Sequence, residues 1–248
     1  MVFGIEDGAR YPFRGDRTAD LFATGGVLGI ATAILVQLTL VTAPSPLAAV
    51  VGSLAAVPVV ALLGYLLRVV ERSVRGGDDP PGFRPFAELA WKGCRLSALT
   101  VVYAVVPVLV VAVAVAGLRR LPVASADEIG FVGALSLFGI STAVLLVVLS
   151  FAYVYPAAVG RLAAGGSLRE ALGLRSYRSV IGHGSYFIAW TVAALFLAPG
   201  WIVLPTALSS ATPVGVAAVF AAFYVHVVAA RLVGRGYRLA ADVDGEEK

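Results

Sequence analysis

Six long apolar runs alternate with short polar segments along the chain. Each run exceeds the roughly 20 residues that a helix needs to cross the hydrocarbon core of a bilayer. We therefore predict an all-α polytopic membrane protein, a bundle of six transmembrane helices with two short cytoplasmic interfacial helices. The runs cover residues 21–41, 47–70, 96–118, 131–158, 185–208 and 213–233.

The two short helices are predicted in the polar segments that follow the second and fourth runs. Pro85 suits the first position of a helix, and Glu88 and Lys92 then form an i, i+4 pair on its polar face. Ser167 followed by Glu170 matches a capping box, which begins the second short helix. Such amphipathic helices lie in the membrane interface; the alternative is a soluble cap packed on the loops.

The same pattern divides the chain into three regions. They are a cytoplasmic arm over residues 1–20, a membrane domain over 21–233 and a polar cytoplasmic tail over 234–248. The tail is first basic and then acidic, so we expect it to be disordered.

Small residues line one face of the first predicted span. Gly25, Gly29 and Ala33 are spaced four apart, so they lie on one side of a helix and let another backbone approach closely. This face serves either packing within the chain or contact with a second copy.

The basic residues indicate the orientation. Of the 19 Lys and Arg residues, 17 lie in the arm, in the tail, or at the ends of runs two, four and six and in the segments that follow them; the other two are Arg119 and Arg120. The positive-inside rule places these segments and both termini in the cytoplasm, with the spans in the cell membrane. The net charge of +4 has the same origin and does not indicate nucleic-acid binding.

The two basic segments share a spacing of glycines. Arg72, Gly76-Gly77 and Gly93 recur without a gap as the second set, Arg161, Gly165-Gly166 and Gly182. Both sets run in the same direction across the membrane. We therefore expect a two-span repeat over residues 47–118 and 131–208.

Composition excludes several chemistries. The chain is 59% hydrophobic with a mean hydropathy of +0.90, and every carboxylate lies outside the apolar runs. A single cysteine, Cys94, and two histidines, His183 and His226, form no metal-binding spacing. We predict no catalytic residues, no metal and no cofactor, so the protein is not expected to be an enzyme. His226 is ionisable and lies inside the last run, and either packing or proton transfer accounts for it.

Arginines next to the spans are the candidate binding residues. Anionic lipid attracts juxtamembrane basic residues, so a headgroup-binding face is one interpretation, and a topology signal alone is the other. A non-enzymatic protein that interacts with membrane lipids or acts as a scaffold is the leading hypothesis; a homo-oligomer or a membrane-protein partner remains open. The candidate headgroup residues are Arg68, Arg72, Arg161, Arg175 and Arg178.

A transporter or channel for a neutral or lipophilic solute is the competing hypothesis. It rests on the repeat and on prolines within the runs, which break helices around substrate sites. The prolines are Pro58, Pro107, Pro199 and Pro205. A polar cavity at the middle of the membrane would then be lined by Gln37, Tyr103, Ser141 and Thr142.

Several short motifs resemble a family of uncharacterised six-span membrane proteins abundant in haloarchaea, domain of unknown function 4013. The motifs are Tyr11-Pro12 with Gly15-Asp16, Gly25-Gly26, Gly64-Tyr65 with Arg68, Pro80-Pro81 with Phe83, and Tyr155-Pro156. Family members tend to have an aromatic residue shortly after the Gly-Asp pair, where this chain has Thr18 and Ala19. The resemblance implies a membrane location and an archaeal source, and it implies no activity.

Overall fold

The structure is a computed structural model that describes residues 5–119, 130–209 and 212–246, and it gives side chains for all of these except residues 132 and 243–246. Nearly all of the described residues are helical. The helices are α1 (Ile5–Arg10), α2 (Thr18–Thr42), α3 (Pro46–Val74), α4 (Phe86–Leu118), α5 (Phe131–Ala163), α6 (Leu168–Leu172), α7 (Arg178–Gly182), α8 (Gly184–Ser209) and α9 (Pro213–Glu246). Two 3₁₀ turns, Tyr11–Phe13 and Leu174–Ser176, complete the regular structure of the described residues.

Six of these helices are long and apolar enough to cross a membrane: α2, α3, α4, α5, α8 and α9. The predicted all-α polytopic bundle is therefore confirmed, and the chain is a multi-pass membrane protein. Helices are the expected solution, since a helix satisfies its backbone N–H and C=O groups internally where no water is present.

The two predicted short helices differ in form. The first is continuous with the third span, because α4 begins at Phe86 and runs without a break through the apolar run. Its predicted pair is present, with Lys92 Nζ 2.8 Å from Glu88 Oε1. The second is α6, where the Ser167 hydroxyl accepts a 3.2 Å hydrogen bond from the Glu170 N–H, as the capping box predicts.

The prediction of a disordered tail is wrong for residues 234–246, which continue α9 as helix. Tyr237 and Ala240 are buried in this extension. Two glycines allow this close packing: Gly236 lies against Ala189 of α8, and the ring of Tyr237 lies against Gly160 of α5. Residues 247 and 248 lie outside the described residues.

The last helix, α9, forms the centre of the bundle. In the most apolar 18-residue stretch of α9, 56% of the residues are buried inside the structure. In the corresponding stretches of α4 and α5, none is buried. Helix α9 packs against α2, α3 and α8, while α4 and α5 lie at the periphery. The glycine face of α2 meets α9, with Gly25 against the Phe223 ring and Gly29 against Val219. That face is thus used for packing within the chain and is not open to a second copy.

The helices α3 and α4, which flank the loop of residues 75–85, approach each other closely at a pair of glycines. A side-chain carbon at Gly64 of α3 would overlap the Leu89 carbonyl oxygen, and one at Gly93 of α4 would overlap the Val60 carbonyl oxygen. Bundles in lipid depend on such close contacts, because burial in hydrocarbon adds no hydrophobic driving force.

The C-terminal caps of α3 and α5 have the same geometry. Gly76 and Gly165 both have positive φ, at 82° and 94°. The next glycines donate back to equivalent carbonyls, Gly77 to Arg72 at 2.8 Å and Gly166 to Arg161 at 3.1 Å. Both caps are Schellman motifs, which need a residue without Cβ at the left-handed position. Beyond the caps the segments differ, since only the second contains α6 and α7; the repeat of whole units stays a prediction.

We predict that Gly93→Ala destabilises the protein by about 1–3 kcal/mol, because the added methyl group forces α3 and α4 apart. Gly117→Ala is the matched control on the same helix, since no atom of the described residues lies within 4 Å of a Cβ there. Thermal unfolding in detergent measures both. Equal midpoints for the two variants would contradict the close contact.

Candidate functional site

Arg68 near the end of α3 organises the loop that leads to α4. Its side chain is buried and donates to three backbone carbonyls of that loop, Gly82 at 3.0 Å, Arg84 at 2.8 Å and Pro85 at 3.0 Å. It also lies 3.3 Å from the Glu88 carboxylate. Hydrogen bonds from a charged donor are among the strongest in proteins, so Arg68 fixes the path of the loop.

Arg231 of α9 holds the same loop from the opposite side. Only 2% of its surface is exposed, and it donates to the Gly77 carbonyl and, at 2.7 Å, to the Asp78 carboxylate. Its guanidinium lies 4.7 Å from the centre of the Tyr11 ring, a cation–π contact. The loop is therefore attached to the central helix of the bundle.

The N-terminal arm completes the attachment. The Tyr11 hydroxyl donates to the Asp79 carbonyl at 3.2 Å, and burial raises the pKa of Tyr11 to about 12. Asp7 of α1 forms ion pairs with Arg14 and with Arg235 of α9. Arm, loop and α9 are thus joined by charged and polar contacts at one end of the bundle.

A cleft of about 240 Å³ opens between the loop and the adjoining ends of α3 and α4; we call it the α3–α4 cleft. Its lining is Arg68, Glu71, Arg72, Arg75, Pro81, Gly82, Arg84, Glu88 and Lys92. Both carboxylates are already engaged, since Lys92 forms ion pairs with each of them.

Three arginines of this cleft stay available. Arg72, Arg75 and Arg84 are exposed, and none has a carboxylate within 4 Å among the residues that the structure describes. Guanidinium groups offer paired N–H donors that match the oxygens of a phosphate. The α3–α4 cleft therefore has the charge and the donors for a phosphate-sized anion.

A second cleft, of about 490 Å³, adjoins the first across Arg72, Pro81 and Gly82. We call it the arm cleft, because residues 14–17 form its other wall. Two of its arginines come from the arm, Arg14 and Arg17, but two aspartates, Asp16 and Asp79, also line it. Its balance of charge is accordingly weaker than that of the α3–α4 cleft.

Residues 47–214 match the family described as "Protein of unknown function (DUF4013)". The chain belongs to the DUF4013 family. Neither the curated proteins nor the solved structures include a match to this chain. The DUF4013 region contains the complete α3–α4 cleft, whereas Arg14 and Arg17 of the arm cleft and Arg231 of α9 lie outside it.

The candidate arginines of this DUF4013 protein fall into two groups. Arg68 and Arg72 line the α3–α4 cleft, Arg68 as a buried anchor and Arg72 as an exposed donor. Arg161 pairs with Glu170 of α6. Arg175 and Arg178 are exposed on the segment between α5 and α8, residues 164–183, which we call the second loop. None of these last three lines either cleft. Arg75 and Arg84 lie in the basic segment after the second run but were not among the predicted site residues. Their position in the same segment as Arg72 was the feature of the sequence that could have indicated them.

The four residues of the predicted midplane site are not brought together. Tyr103 reaches the second loop, where its hydroxyl donates to Ala171 O at 3.1 Å. Thr142 donates to the Phe138 carbonyl of its own helix at 2.8 Å, Ser141 is exposed on α5, and Gln37 is half-buried on α2. The four prolines proposed to break the spans all lie inside continuous helices, α3, α4 and α8.

A different cavity lies between α2, α3, α8 and α9, with a volume of about 260 Å³; we call it the α9 cavity. None of the four predicted midplane residues lines it. His226 does, and its ring Nδ1 lies 2.7 Å from the Ala222 carbonyl. Among the described residues, no group of three or more His, Cys, Asp or Glu side chains is placed to hold a metal ion.

We predict that Arg231→Met loosens the first loop and destabilises the protein by about 1–3 kcal/mol, because the Gly77 carbonyl loses its charged donor. Faster tryptic cleavage after the exposed Arg75 measures the loosening. Arg238→Met, on the same helix and without an ion pair among the described residues, is the control. Equal cleavage rates in both variants would show that Arg231 does not hold the loop.

Proposed function

We propose that this protein is a non-enzymatic membrane protein that binds the anionic headgroup of a membrane lipid in the α3–α4 cleft. The observation that carries the proposal is the set of three exposed arginines, Arg72, Arg75 and Arg84, around a cleft whose own carboxylates are already paired. An anion entering the cleft has no internal competitor for these donors.

The position of the cleft favours lipid over a free anion. Arg72 and Arg75 directly follow the apolar part of α3, and α4 returns into an apolar segment after Lys92. Basic residues next to a bilayer contribute about 1 kcal/mol each to the attraction of anionic lipid. A headgroup held here keeps its hydrocarbon chains in the bilayer beside the bundle, where the outer faces of α4 and α5 are apolar and exposed.

The spans are further proposed to lie in the cell membrane, with the cleft facing the cytoplasm. The order of the spans along the chain assigns 17 of the 19 basic residues to one side of the membrane, and the positive-inside rule makes that side cytoplasmic. Cys94 is the only cysteine of the chain, so a Cys94→Ser background is free of other thiols.

We predict that a membrane-impermeant maleimide labels Asp127→Cys in intact cells and labels Arg84→Cys only after lysis, both in the Cys94→Ser background. The charge bias alone requires these opposite sides. Labelling of both positions in intact cells would contradict the proposed orientation.

We predict that Arg72→Gln/Arg75→Gln/Arg84→Gln weakens binding of phosphatidylglycerol by roughly 100-fold, from about 1 kcal/mol for each of the three lost charges. Lipid retention by the purified full chain, titrated with phosphatidylglycerol and with phosphatidylcholine, measures the effect. Adding salt should reduce the difference between the two lipids, since exposed charges are screened.

The matched control removes three exposed arginines from the second loop, as Arg169→Gln/Arg175→Gln/Arg178→Gln. Both triple variants lose the same charge, so a specific cleft predicts a loss in the first variant only. Equal losses would indicate general attraction between a basic surface and anionic lipid. Unchanged phosphatidylglycerol retention in the first variant would remove the proposal, and competition by inorganic phosphate alone would point to a soluble anion.

The transport hypothesis receives its support from the α9 cavity and not from the residues that suggested it. Carriers place a solute near the middle of the bilayer, and this cavity lies between four spans. It is apolar apart from Thr32 and His226, so a carrier of this architecture would take a lipophilic solute.

A further inference from the structure

The α9 cavity has two kinds of lining. Of the lining residues within the described part of the chain, twelve are glycine or apolar and two are polar, Thr32 and His226. The Thr32 hydroxyl already donates to the Leu28 carbonyl of its own helix at 2.8 Å. His226 is therefore the side chain that determines which polar group the cavity accepts.

The hydrogen bond of His226 defines its tautomer. A carbonyl oxygen can only accept, so the 2.7 Å contact with Ala222 O requires the proton on Nδ1. In the neutral ring, Nε2 then carries a lone pair and acts as an acceptor. Nε2 has no hydrogen-bond partner among the residues that the structure describes. An acceptor in apolar surroundings is satisfied only when a donor enters the cavity.

We propose that the α9 cavity binds a small neutral molecule, a short hydrocarbon chain with one hydroxyl group that donates to Nε2 of His226. The apolar lining suits the chain, and the hydroxyl supplies the missing donor. Val59 lines the cavity and is 36% exposed, and the proposed entrance for a molecule dissolved in the bilayer lies beside it. This inference is independent of the α3–α4 cleft.

The volume sets the size of the ligand. A water molecule occupies about 30 Å³ in the liquid. A cavity of about 260 Å³ therefore holds about nine atoms of similar size. A probe such as 1-octanol, with its eight carbons and one oxygen, matches this space, whereas a complete membrane lipid does not.

Nuclear magnetic resonance of ring nitrogens tests the contact directly. The chain contains two histidines, His183 and His226, so [¹⁵N]histidine labelling gives few ring signals, and His183→Gln assigns them. We expect 1-octanol, added to the full chain in detergent, to shift the Nε2 signal of His226 until the site is saturated. Its isomer methyl heptyl ether, which has the same atoms but no donor, should leave that signal in place.

Two substitutions on α3 locate the site. Val59→Phe fills the cavity and should abolish the saturable shift, whereas Val57→Phe, at a 67% exposed position outside the lining, should retain it. Equal shifts with alcohol and ether, a shift that never saturates, or an intact shift in Val59→Phe would each overturn the proposal. The Arg72→Gln/Arg75→Gln/Arg84→Gln variant should bind 1-octanol normally, which separates this site from the lipid headgroup site.

Discussion

Two buried guanidinium groups hold the loop between α3 and α4 in place at one end of the bundle. Arg68 and Arg231 lie near the ends of the apolar parts of α3 and α9, and their buried N–H donors need acceptors from the protein. The loop between α3 and α4 provides those acceptors as backbone carbonyls. Because the loop is held on both sides, the neighbouring arginines of α3 remain directed outward. The candidate anion site is thus a consequence of how the buried arginines are satisfied.

Packing between the spans depends on small residues more than on large apolar ones. In hydrocarbon, an apolar side chain gains little by leaving lipid for another helix, so close backbone approach decides which helices associate. The paired glycines of α3 and α4, Gly64 and Gly93, and the contact of α2 glycines with α9 follow this rule. The apolar outer faces of α4 and α5 need no protein partner, because lipid covers them equally well. The same physics leaves a cavity where bulky side chains do not meet, around His226.

Local patterns were a good guide to local structure. The six apolar runs predicted six spans, the Ser167 capping box predicted the start of α6, and the Glu88–Lys92 spacing predicted their ion pair. Each of these features depends on residues within a few positions of one another. The expectation of a disordered tail failed because it rested on the charges of the tail alone, whereas α5 supplies the surface on which Tyr237 packs and α8 the surface on which Gly236 packs.

The candidate site shows the same difference between local features, which the sequence predicts, and long-range contacts, which it does not. The spans, the clustering of basic residues and the absence of carboxylates from the apolar runs could all be read from the sequence, since hydrophobicity and charge are properties of single residues. Which arginines are free depends instead on how the chain folds. Arg68 and Arg72 are four positions apart and look equivalent in the sequence, yet one is buried against carbonyls and the other is exposed. The difference comes from the path of the loop that follows α3, which Arg231 on the last helix holds in place, and a contact across so much of the chain leaves no local pattern.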